Sequence, residues 1–537
     1  MNDSSENKRM IPLLLVLLTV AAALLRVQNI FSGLEYDEIW TLENFASMPL
    51  FKLFTELALP NNQPLNSCWV KFAVYSELPV WSIRIHSLIA SILTLPLAGF
   101  ISYHLAGKKI SAAFACMAFL ALSSPDIAYA TLARGYALQV FFLTLFGAGL
   151  TAAAFCCPQG KIKKFLPELA VFLGGAGAGL TLPTSVVYLA GITLAAFLIK
   201  PELPRRSLLF VLIAGVALTA FFCLFNLQQL NAARIWGSKI TSFADFCNFL
   251  SDTSKHVIAP VALLVSCIAL RSRPRQTLPL LFILLLPLLS AVLTNAGPPR
   301  TYIPFGTVLA ISAGCGASII IQKLKKSLAV PVCLALTVFL AGEYALRRQL
   351  WYTPDSREIF KQTAQLPSTS LVVHRATSGY PLAWNNQPEI YSDFVKRLLE
   401  HSTELIMFDG PGRINGNDRQ NNEAVITIPA QGTEIKSGVL NYRKYALEEL
   451  STPPGQEENV LIVLRPMPEN MLNFYFSLLN TPKSSWLKLN PWLNRHLNLQ
   501  DGTYRYALLA GKVNSVSFDW NPFLNSNGSI SVYRFGK

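Results

Sequence analysis

The chain has 537 residues, of which 52% are hydrophobic and 14% are charged, and its mean hydropathy is +0.38. A soluble globular protein carries about 25% charged residues, so this composition excludes an ordinary soluble protein. The net charge of +14 does not indicate nucleic-acid binding, because the basic residues stand in short clusters between apolar runs. Such clusters encode membrane topology. The sequence therefore predicts a polytopic α-helical membrane protein.

Apolar runs near the ~20 residues that cross a bilayer recur as far as Leu346, so a signal peptide alone does not explain them. We predict eleven transmembrane spans. They cover residues 11–28, 84–104, 110–126, 136–157, 165–182, 184–200, 207–226, 256–270, 277–295, 301–321 and 327–346.

Every second loop between these spans is basic. The basic loops follow the even-numbered spans and hold Lys108, Lys109, Lys161, Lys163, Lys164, Lys200, Arg205, Arg206, Arg271, Arg273, Arg275, Lys323, Lys325 and Lys326. By the positive-inside rule these loops and the N-terminus are cytoplasmic. The loops after odd-numbered spans, and everything after Leu346, are then predicted to face outward.

The predicted number of spans depends on whether segment 39–82 crosses the membrane. It contains the fairly apolar run from Pro64 to Trp81, which Lys71 and Glu77 interrupt. A crossing here would place every later basic loop outside. We therefore predict outward juxtamembrane helices that lie in the membrane interface, with aromatic anchors. These anchors are Trp40, Trp69 and Trp81.

The composition changes after Leu346, where proline, asparagine, serine and charge increase. Short β-like runs appear, with helical pattern between some of them. The runs are 370–374, 405–408, 424–428, 460–464, 504–509 and 530–533, and the helical patterns are 390–401 and 468–479. We predict a transmembrane domain over 1–346 and an extracytoplasmic soluble α/β domain over 347–537.

Common cofactor motifs do not account for this chain. Cys156 and Cys157 form the only close cysteine pair and have no companion ligands, which argues against a zinc site. We find no credible GxGxxG, Walker A, HExxH or GxSxG site. The Gly/Ala-rich run Gly174–Gly179 predicts a close helix–helix contact rather than a phosphate loop.

Asp37 and Glu38 form an acidic pair about ten residues beyond the first apolar run. The pair is either a solvated loop or helix start, or a catalytic base at the membrane surface. Positive charges in outward loops run against the topological bias. Beyond the juxtamembrane segment they are Arg134, Arg234, Lys239, Lys255 and Arg300. Acids and bases on one face suit a reaction in which a base takes a proton while cations hold a phosphate. For the two lysines, an ordinary loop charge is an equal alternative.

Five stretches within residues 10–310, in order, resemble membrane-embedded GT-C glycosyltransferases. The nearest group is the bacterial family related to protein O-mannosyltransferases and the lipid A aminoarabinose transferase. The stretches are Glu35-Tyr36-Asp37-Glu38-Ile39-Trp40, Asn61-Asn62-Gln63-Pro64-Leu65, Arg84-Ile85-His86-Ser87, Ser124-Pro125 through Tyr129 to Ala133-Arg134-Gly135-Tyr136-Ala137-Leu138, and Pro299-Arg300-Thr301-Tyr302 with Pro304. Two positions depart from the family pattern. Gln63 stands where histidine is frequent, and Leu132 where a polar or acidic residue often precedes Ala-Arg.

The resemblance implies transfer of a hexose or pentose from a polyprenyl-phosphate donor on the outer face of a bacterial inner membrane. The acceptor would be lipid A, a polysaccharide or a protein. Asp37 would be the general base of an inverting reaction, with Glu38 beside it. The phosphate-binding cations would be Arg134, Arg300, Arg234, Lys239 and Lys255. The substrate contacts would be Tyr36, Asn62, Gln63, Tyr136, Tyr302 and Asp126, although a helix cap is an equal reading of Asp126.

Membrane lipids are further partners, and no cofactor is expected. Two neighbouring carboxylates nevertheless leave a divalent metal open. Three other functions stay open. A lipid or polysaccharide transporter or flippase would show ionisable residues near the midplane and inverted repeats, whereas the predicted spans hold few charges and no evident repeat. A polysaccharide ligase or polymerase would use a lipid diphosphate donor. A non-catalytic scaffold would bind a partner through its outer domain.

Overall fold

The computed structural model of the protein describes residues 3–28, 30–35, 37–38, 41–42, 45–46, 48–55, 62–156, 161–201, 215, 218, 239–324 and 338–345, together with short strands between 370 and 536. The chain divides into two compact units. The first comprises Met1–Phe31 and Trp40–Trp351, and the second comprises Ser32–Ile39 and Tyr352–Lys537. The loop that carries Asp37 and Glu38 therefore belongs to the second unit.

Apolar helices build the first unit. In chain order they are α1 (Asp3–Val27), α2 (Leu50–Thr55), α3 (Pro64–Tyr75), α4 (Ile85–Leu105), α5 (Ile110–Ala121), α6 (Ser124–Ala130), α7 (Gly135–Phe155), α8 (Lys161–Thr181), α9 (Ser185–Ile199), α10 (Phe243–Val257), α11 (Pro260–Ser272), α12 (Pro274–Thr277), α13 (Leu281–Leu293) and α14 (Pro304–Lys323). Short 3₁₀ turns stand at Val80–Arg84, Leu278–Leu280 and Pro299–Tyr302.

The described helices lie close to the predicted spans, and the chain is a multi-pass membrane protein. By length and composition, 4 helices of the described part can cross a membrane, or up to 6 if each bent pair is one span. Predicted span 207–226 lies outside the described residues, apart from positions 215 and 218. Of predicted span 327–346, residues 338–345 are described, and they are helical.

The prediction of one continuous span over 110–126 is wrong, because a helix break divides it. Helix α5 ends at Ala121, and α6 leaves at an angle of 64°. Pro125 lacks the N–H group that would continue the α5 hydrogen-bond ladder, so the chain starts a new helix there. Helices α10 and α11 meet at 101° in the same way, with Pro260 as the first residue of α11.

Glycines bring neighbouring helices into close contact. A Cβ atom added at Gly174 in α8 would lie 2.5 Å from the backbone nitrogen of Phe146 in α7. One added at Gly177 would overlap the ring of Phe142. The predicted helix–helix contact of the Gly174–Gly179 run is therefore confirmed for these two positions. Gly316 in α14 similarly packs on the backbone of α11.

Hydrogen bonds show which helix ends lie near each other. Residues next to the loops after odd-numbered spans contact one another: Ser87 Oγ donates to the Arg134 carbonyl (3.1 Å), and Tyr188 Oη donates to the Thr301 carbonyl (2.9 Å). Ends of the basic loops meet where Cys156 Sγ lies 3.7 Å from His104 Nε2. The alternation of loops therefore corresponds to two ends of the helix bundle, and which end faces outward stays a prediction.

The described part of 39–82 forms short helices, α2 and α3, followed by the 3₁₀ turn. Helix α3 has 12 residues, too few to cross a bilayer. Trp69 Nε1 donates to the Ser82 carbonyl at 3.0 Å, and the Trp81 ring meets Phe31 edge to face at 5.5 Å. Phe51 and Tyr75 are 74% and 67% exposed, as expected for residues that face lipid. Trp40 lies outside the described residues.

The second unit contains strands β1 (Ser370–Val373), β2 (Glu404–Leu405), β3 (Ile428–Pro429), β4 (Leu447–Leu450), β5 (Val460–Leu464), β6 (Lys512–Phe518) and β7 (Ile530–Gly536). Five of them form a mixed sheet in the order β1-β5-β7-β6-β4, and β2 pairs with β3. The β1–β5 pair is parallel, whereas β5–β7 is antiparallel. The patterns at 390–401, 468–479 and 504–509 lie outside the described residues.

Gly316→Ala is expected to lower the melting temperature of the purified protein in detergent. Its Cβ would overlap the Val265 carbonyl, and overpacking of this kind costs about 1–3 kcal/mol. Gly342→Ala is the matched control, because an added Cβ there meets nothing within 4 Å. Equal melting temperatures for the two variants would contradict the close packing of α11 and α14.

Candidate functional site

Two of the predicted phosphate-binding residues, Arg134 and Arg300, both contact the side chain of Tyr136. Tyr136 lies in the first turn of α7 and is 5% exposed. Arg300 Nε donates to Tyr136 Oη at 3.0 Å, and the two residues are 164 positions apart in the chain. The Arg134 guanidinium lies over the Tyr136 ring, 5.8 Å from its centroid. The fold therefore brings Arg134, Tyr136 and Arg300 together, and we call these three residues the arginine cluster.

Neighbouring helices hold both arginine backbones in place. Arg134 is the N-cap of α7 in an extended conformation, and its carbonyl accepts the Ser87 hydroxyl. Arg300 lies in the 3₁₀ turn before α14. Pro298 and Pro299 stand at the start of this turn, where neither has a backbone N–H to donate. The carbonyl of Thr301 accepts the Tyr188 hydroxyl. Arg134 is 3% exposed and Arg300 is half-buried, so solvent screens the cluster weakly.

Gln63 lies beside the arginine cluster. Its Oε1 accepts the N–H of Gly135, the residue after Arg134. Its Nε2 is buried and has no hydrogen-bond partner. A Cβ at Gly135 would come within 2.8 Å of Thr181 Cγ2 and 2.9 Å of Gln63 Oε1, so this close approach needs glycine. A buried unpaired donor costs about 1–3 kcal/mol, which a ligand acceptor would remove.

Asn62 and Tyr302 make contacts within the fold. Asn62 Nδ2 donates to the Leu53 carbonyl at 3.0 Å, and its Oδ1 accepts the Ser67 hydroxyl at 2.9 Å. Asn62 therefore ties α2 to α3. The Tyr302 ring packs on Phe249 and Phe305, with centroid distances of 5.2 and 5.5 Å. Ligand contact by Asn62 and Tyr302 stays a prediction.

Asp126 stands in the first turn of α6 and is 8% exposed. Its Oδ2 has no hydrogen-bond partner. Its carbonyl oxygen accepts the Ser91 hydroxyl at 3.3 Å. The position in the first turn fits a favourable interaction with the helix dipole, and ligand contact by Asp126 stays a prediction.

The acidic pair lies in the second unit, in a short helical turn. Glu38 Oε2 accepts the Glu35 N–H at 2.9 Å, and the Glu38 N–H donates to the Glu35 carbonyl at 3.0 Å. These two hydrogen bonds show that Glu38 stabilises its own turn. Glu38 is 1% exposed, and Asp37 is half-buried. Tyr36 lies outside the described residues.

The two lysines are exposed. Lys239 precedes α10, and Lys255 lies in its last turn. Their roles stay predictions, and Arg234 lies outside the described residues. Within the described part of the chain, no group of three or more His, Cys, Asp and Glu residues could hold a metal ion.

Sequence reasoning missed Arg26, which lies inside predicted span 11–28. It is completely buried and donates to Ser91 Oγ at 2.8 Å and to the Leu120 carbonyl at 2.9 Å. A lone arginine in an otherwise apolar span was the available signal, because an intramembrane charge needs polar partners.

No family model and no curated protein matches the chain. Solved structures with a similar fold do exist. ArnT from Cupriavidus metallidurans, in the apo state, is 15% identical over 70% of this chain and 85% of its own, with a TM-score of 0.47. Bound to undecaprenyl phosphate, ArnT is 13% identical over 97% of each chain, with a TM-score of 0.40.

An archaeal oligosaccharyltransferase is also similar. AglB from Archaeoglobus fulgidus, in complex with an inhibitory peptide and a dolichol-phosphate, is 12% identical over 74% of this chain, with a TM-score of 0.46. This chain covers 60% of AglB. ArnT and AglB are both GT-C fold glycosyltransferases, the group that the sequence motifs resemble. With TM-scores below 0.5, these likenesses say nothing about the residues of the site.

Tyr136→Phe is expected to lower the stability of the protein in detergent. The change removes the acceptor of the Arg300 Nε hydrogen bond, and a hydrogen bond to a charged group contributes about 1.5–3 kcal/mol. Thermal unfolding is the measurement. Tyr103→Phe, at the basic end of α4, is the matched control. A melting temperature for Tyr136→Phe as high as that of the control would show that the hydrogen bond contributes nothing.

Proposed function

We propose that this protein is a GT-C type glycosyltransferase that moves a sugar from a polyprenyl-phosphate donor to an acceptor at the arginine-cluster end of its helix bundle. The meeting of Arg134 and Arg300 on Tyr136 carries the proposal. Both arginines contact the same tyrosine, and positive charge at one place favours the binding of an anion. Guanidinium geometry suits phosphate oxygens, which it binds through paired N–H groups.

The arginine cluster would stabilise the leaving group. When the anomeric C–O bond breaks, its electrons pass to the phosphate oxygen of the lipid. Preorganised donors around that oxygen lower the barrier, and removal of one such donor typically costs about 10²–10³ in rate. The unpaired Nε2 of Gln63 offers a further donor next to Arg134. Arg234, Lys239 and Lys255 remain candidates for additional phosphate contacts.

An apolar groove is the proposed place where the lipid tail lies. Its interior has a volume of about 80 Å³, and it runs along α4, α7, α9, α13 and α14. Val140, one turn after Tyr136, lines it near the arginine cluster, together with Tyr188 and Pro304. Leu105, Phe155 and Ile199 line it toward the basic end. An isoprenoid chain gains free energy in such a groove because its apolar surface leaves water or loosely packed lipid.

Asp37 is the proposed general base. It would take the proton of the acceptor nucleophile, which attacks the anomeric carbon opposite the phosphate and inverts it. The choice of Asp37 rests on the resemblance around Glu35–Trp40. Tyr36, Asn62, Tyr302 and Asp126 are proposed contacts of the sugar or the acceptor.

The proposed location is a bacterial inner membrane with a cytoplasmic N-terminus and an extracytoplasmic domain over 347–537. The acceptor is lipid A, a surface polysaccharide or a protein. Mass spectrometry of these three fractions, from cells with and without the chain, would identify both sugar and acceptor. Unchanged masses in all three fractions would contradict the proposed transfer.

Asp37→Asn is expected to lower sugar transfer about 10²–10⁴-fold, the usual effect of removing a general base. The amount of folded protein should not change, because the substitution preserves size and shape. Transfer would be measured as the modified mass of the acceptor in cells that express the variant. Asp252→Asn, on exposed residue 252 of α10, is the matched control. Full transfer by Asp37→Asn would refute its role as base.

The orientation of the protein is testable through its cysteines. A protein that retains only Cys247, exposed on α10, is expected to react with a membrane-impermeant maleimide in intact spheroplasts. A cysteine-free protein with Lys108→Cys, in an exposed basic loop, should react only after lysis, because that loop is cytoplasmic. The reverse labelling pattern would place the arginine cluster on the cytoplasmic side.

A further inference from the structure

The helix ends at the break between α5 and α6 are buried, since Leu120, Ala121 and Ser124 are at most 5% exposed, so they need partners within the protein. Helix α5 ends at Ala121, and the Leu120 carbonyl accepts the Ser123 N–H at 3.2 Å, which leaves the Ala121 carbonyl without a backbone donor. In a continuous helix the N–H of residue 125 would bond the carbonyl of Ala121, but residue 125 is proline. A side chain must therefore supply the missing donor.

Arg26 supplies it. From α1, its Nη1 donates to the Ala121 carbonyl at 3.2 Å, and its Nη2 donates to the Leu120 carbonyl at 2.9 Å. Nη1 also donates to the Ala22 carbonyl at 3.1 Å in its own helix. A cation at the C-terminus of a helix is also favoured by the helix dipole.

The same guanidinium reaches the other side of the break. Arg26 Nε donates to Ser91 Oγ at 2.8 Å, and the Ser91 hydroxyl donates to the carbonyl of Asp126 in α6 at 3.3 Å. One turn earlier on α4, Ser87 donates to the carbonyl of Arg134 at 3.1 Å. Residues four apart share one face of a helix, so α4 presents both hydroxyls to the segment from the break to Arg134.

We propose that Arg26 is a positioning residue, which sets the break between α5 and α6 and, through Ser91, the place of the segment that carries Arg134. It touches no reacting atom in this role. The planar guanidinium is required, because it donates at once to the end of α5 and to Ser91, which in turn binds the Asp126 carbonyl in α6. Lysine carries the same charge on a single nitrogen and cannot make this set of contacts. The consequence for ligand binding rests on the proposed function, but the structural consequence does not.

Hydrogen exchange of Arg26→Lys in detergent tests the structural consequence. Backbone amides of residues 122–134 should exchange at least about 10-fold faster than in the original protein, because the break opens locally. Amides of α14 should be unchanged. Arg271→Lys, the same substitution at an exposed residue of α11, is the control and should change neither region. Unchanged exchange at 122–134 in folded Arg26→Lys would overturn the proposal.

Binding of undecaprenyl phosphate to the same purified proteins tests the link to the site. Affinity per folded molecule is expected to fall about 10- to 100-fold in Arg26→Lys, since small displacements of a binding group are costly. A role in stability alone would lower the yield of folded protein but leave this affinity unchanged, and that result would overturn the link to Arg134. If the original protein does not bind the lipid, the proposed function fails, while hydrogen exchange still decides the role of Arg26.

A second variant covers the case in which Arg26→Lys does not fold. Ser91→Ala keeps the Arg26 contacts to α5 and removes the hydroxyl that accepts from Arg26 Nε and donates to the Asp126 carbonyl. It should raise exchange at 124–134 by a smaller factor and leave α5 unchanged. No change in exchange at 124–134 would show that the hydroxyl of Ser91 does not position the segment.

Discussion

Backbone carbonyls and amides inside a bilayer must find partners within the protein, and in the first unit this constraint places the residues of the arginine cluster. The arginine cluster is built from turns between helices, where regular hydrogen bonding stops. Ser87 binds the carbonyl of Arg134, and Tyr188 binds that of Thr301, next to Arg300. Side chains that satisfy helix ends therefore also fix the positions of the two cations.

The sequence predicted the helices well where lipid exposure determines them. The span predicted at 184–200 is Ser185–Ile199 in the structure, and that predicted at 136–157 is Gly135–Phe155. An apolar run of sufficient length has few alternatives in a membrane, so its length and boundaries are physically determined. The strand predicted at 460–464 is also present, as β5. Its apolar, β-branched run is bounded by polar residues, which is a strong local signal.

Features that depend on tertiary contacts were harder to predict from the sequence. The helix break after Ala121 was not predicted, because the sequence stays apolar up to and across it. Pro125 alone does not determine the angle between the two helices. Helix α10 was missed as well, although Ser242 and Asp245 form a capping box at its start. Arg134 and Arg300 were both singled out by their unusual topology. Their meeting on Tyr136 could not be predicted, since no local pattern relates residues so far apart in the chain.

The assignment of Ser32–Ile39 to the second unit has a consequence for biosynthesis. This loop is among the first segments to leave the ribosome, directly after α1. The rest of its unit, from Tyr352 onward, is synthesised after the helices of the first unit and includes strand β7, Ile530–Gly536. The helices that carry the cations are thus complete long before the turn with Asp37 can join its own unit. A chain truncated before β7 would keep the helices that flank Arg134 and Arg300 but would lack one strand of the sheet in the unit to which Asp37 belongs.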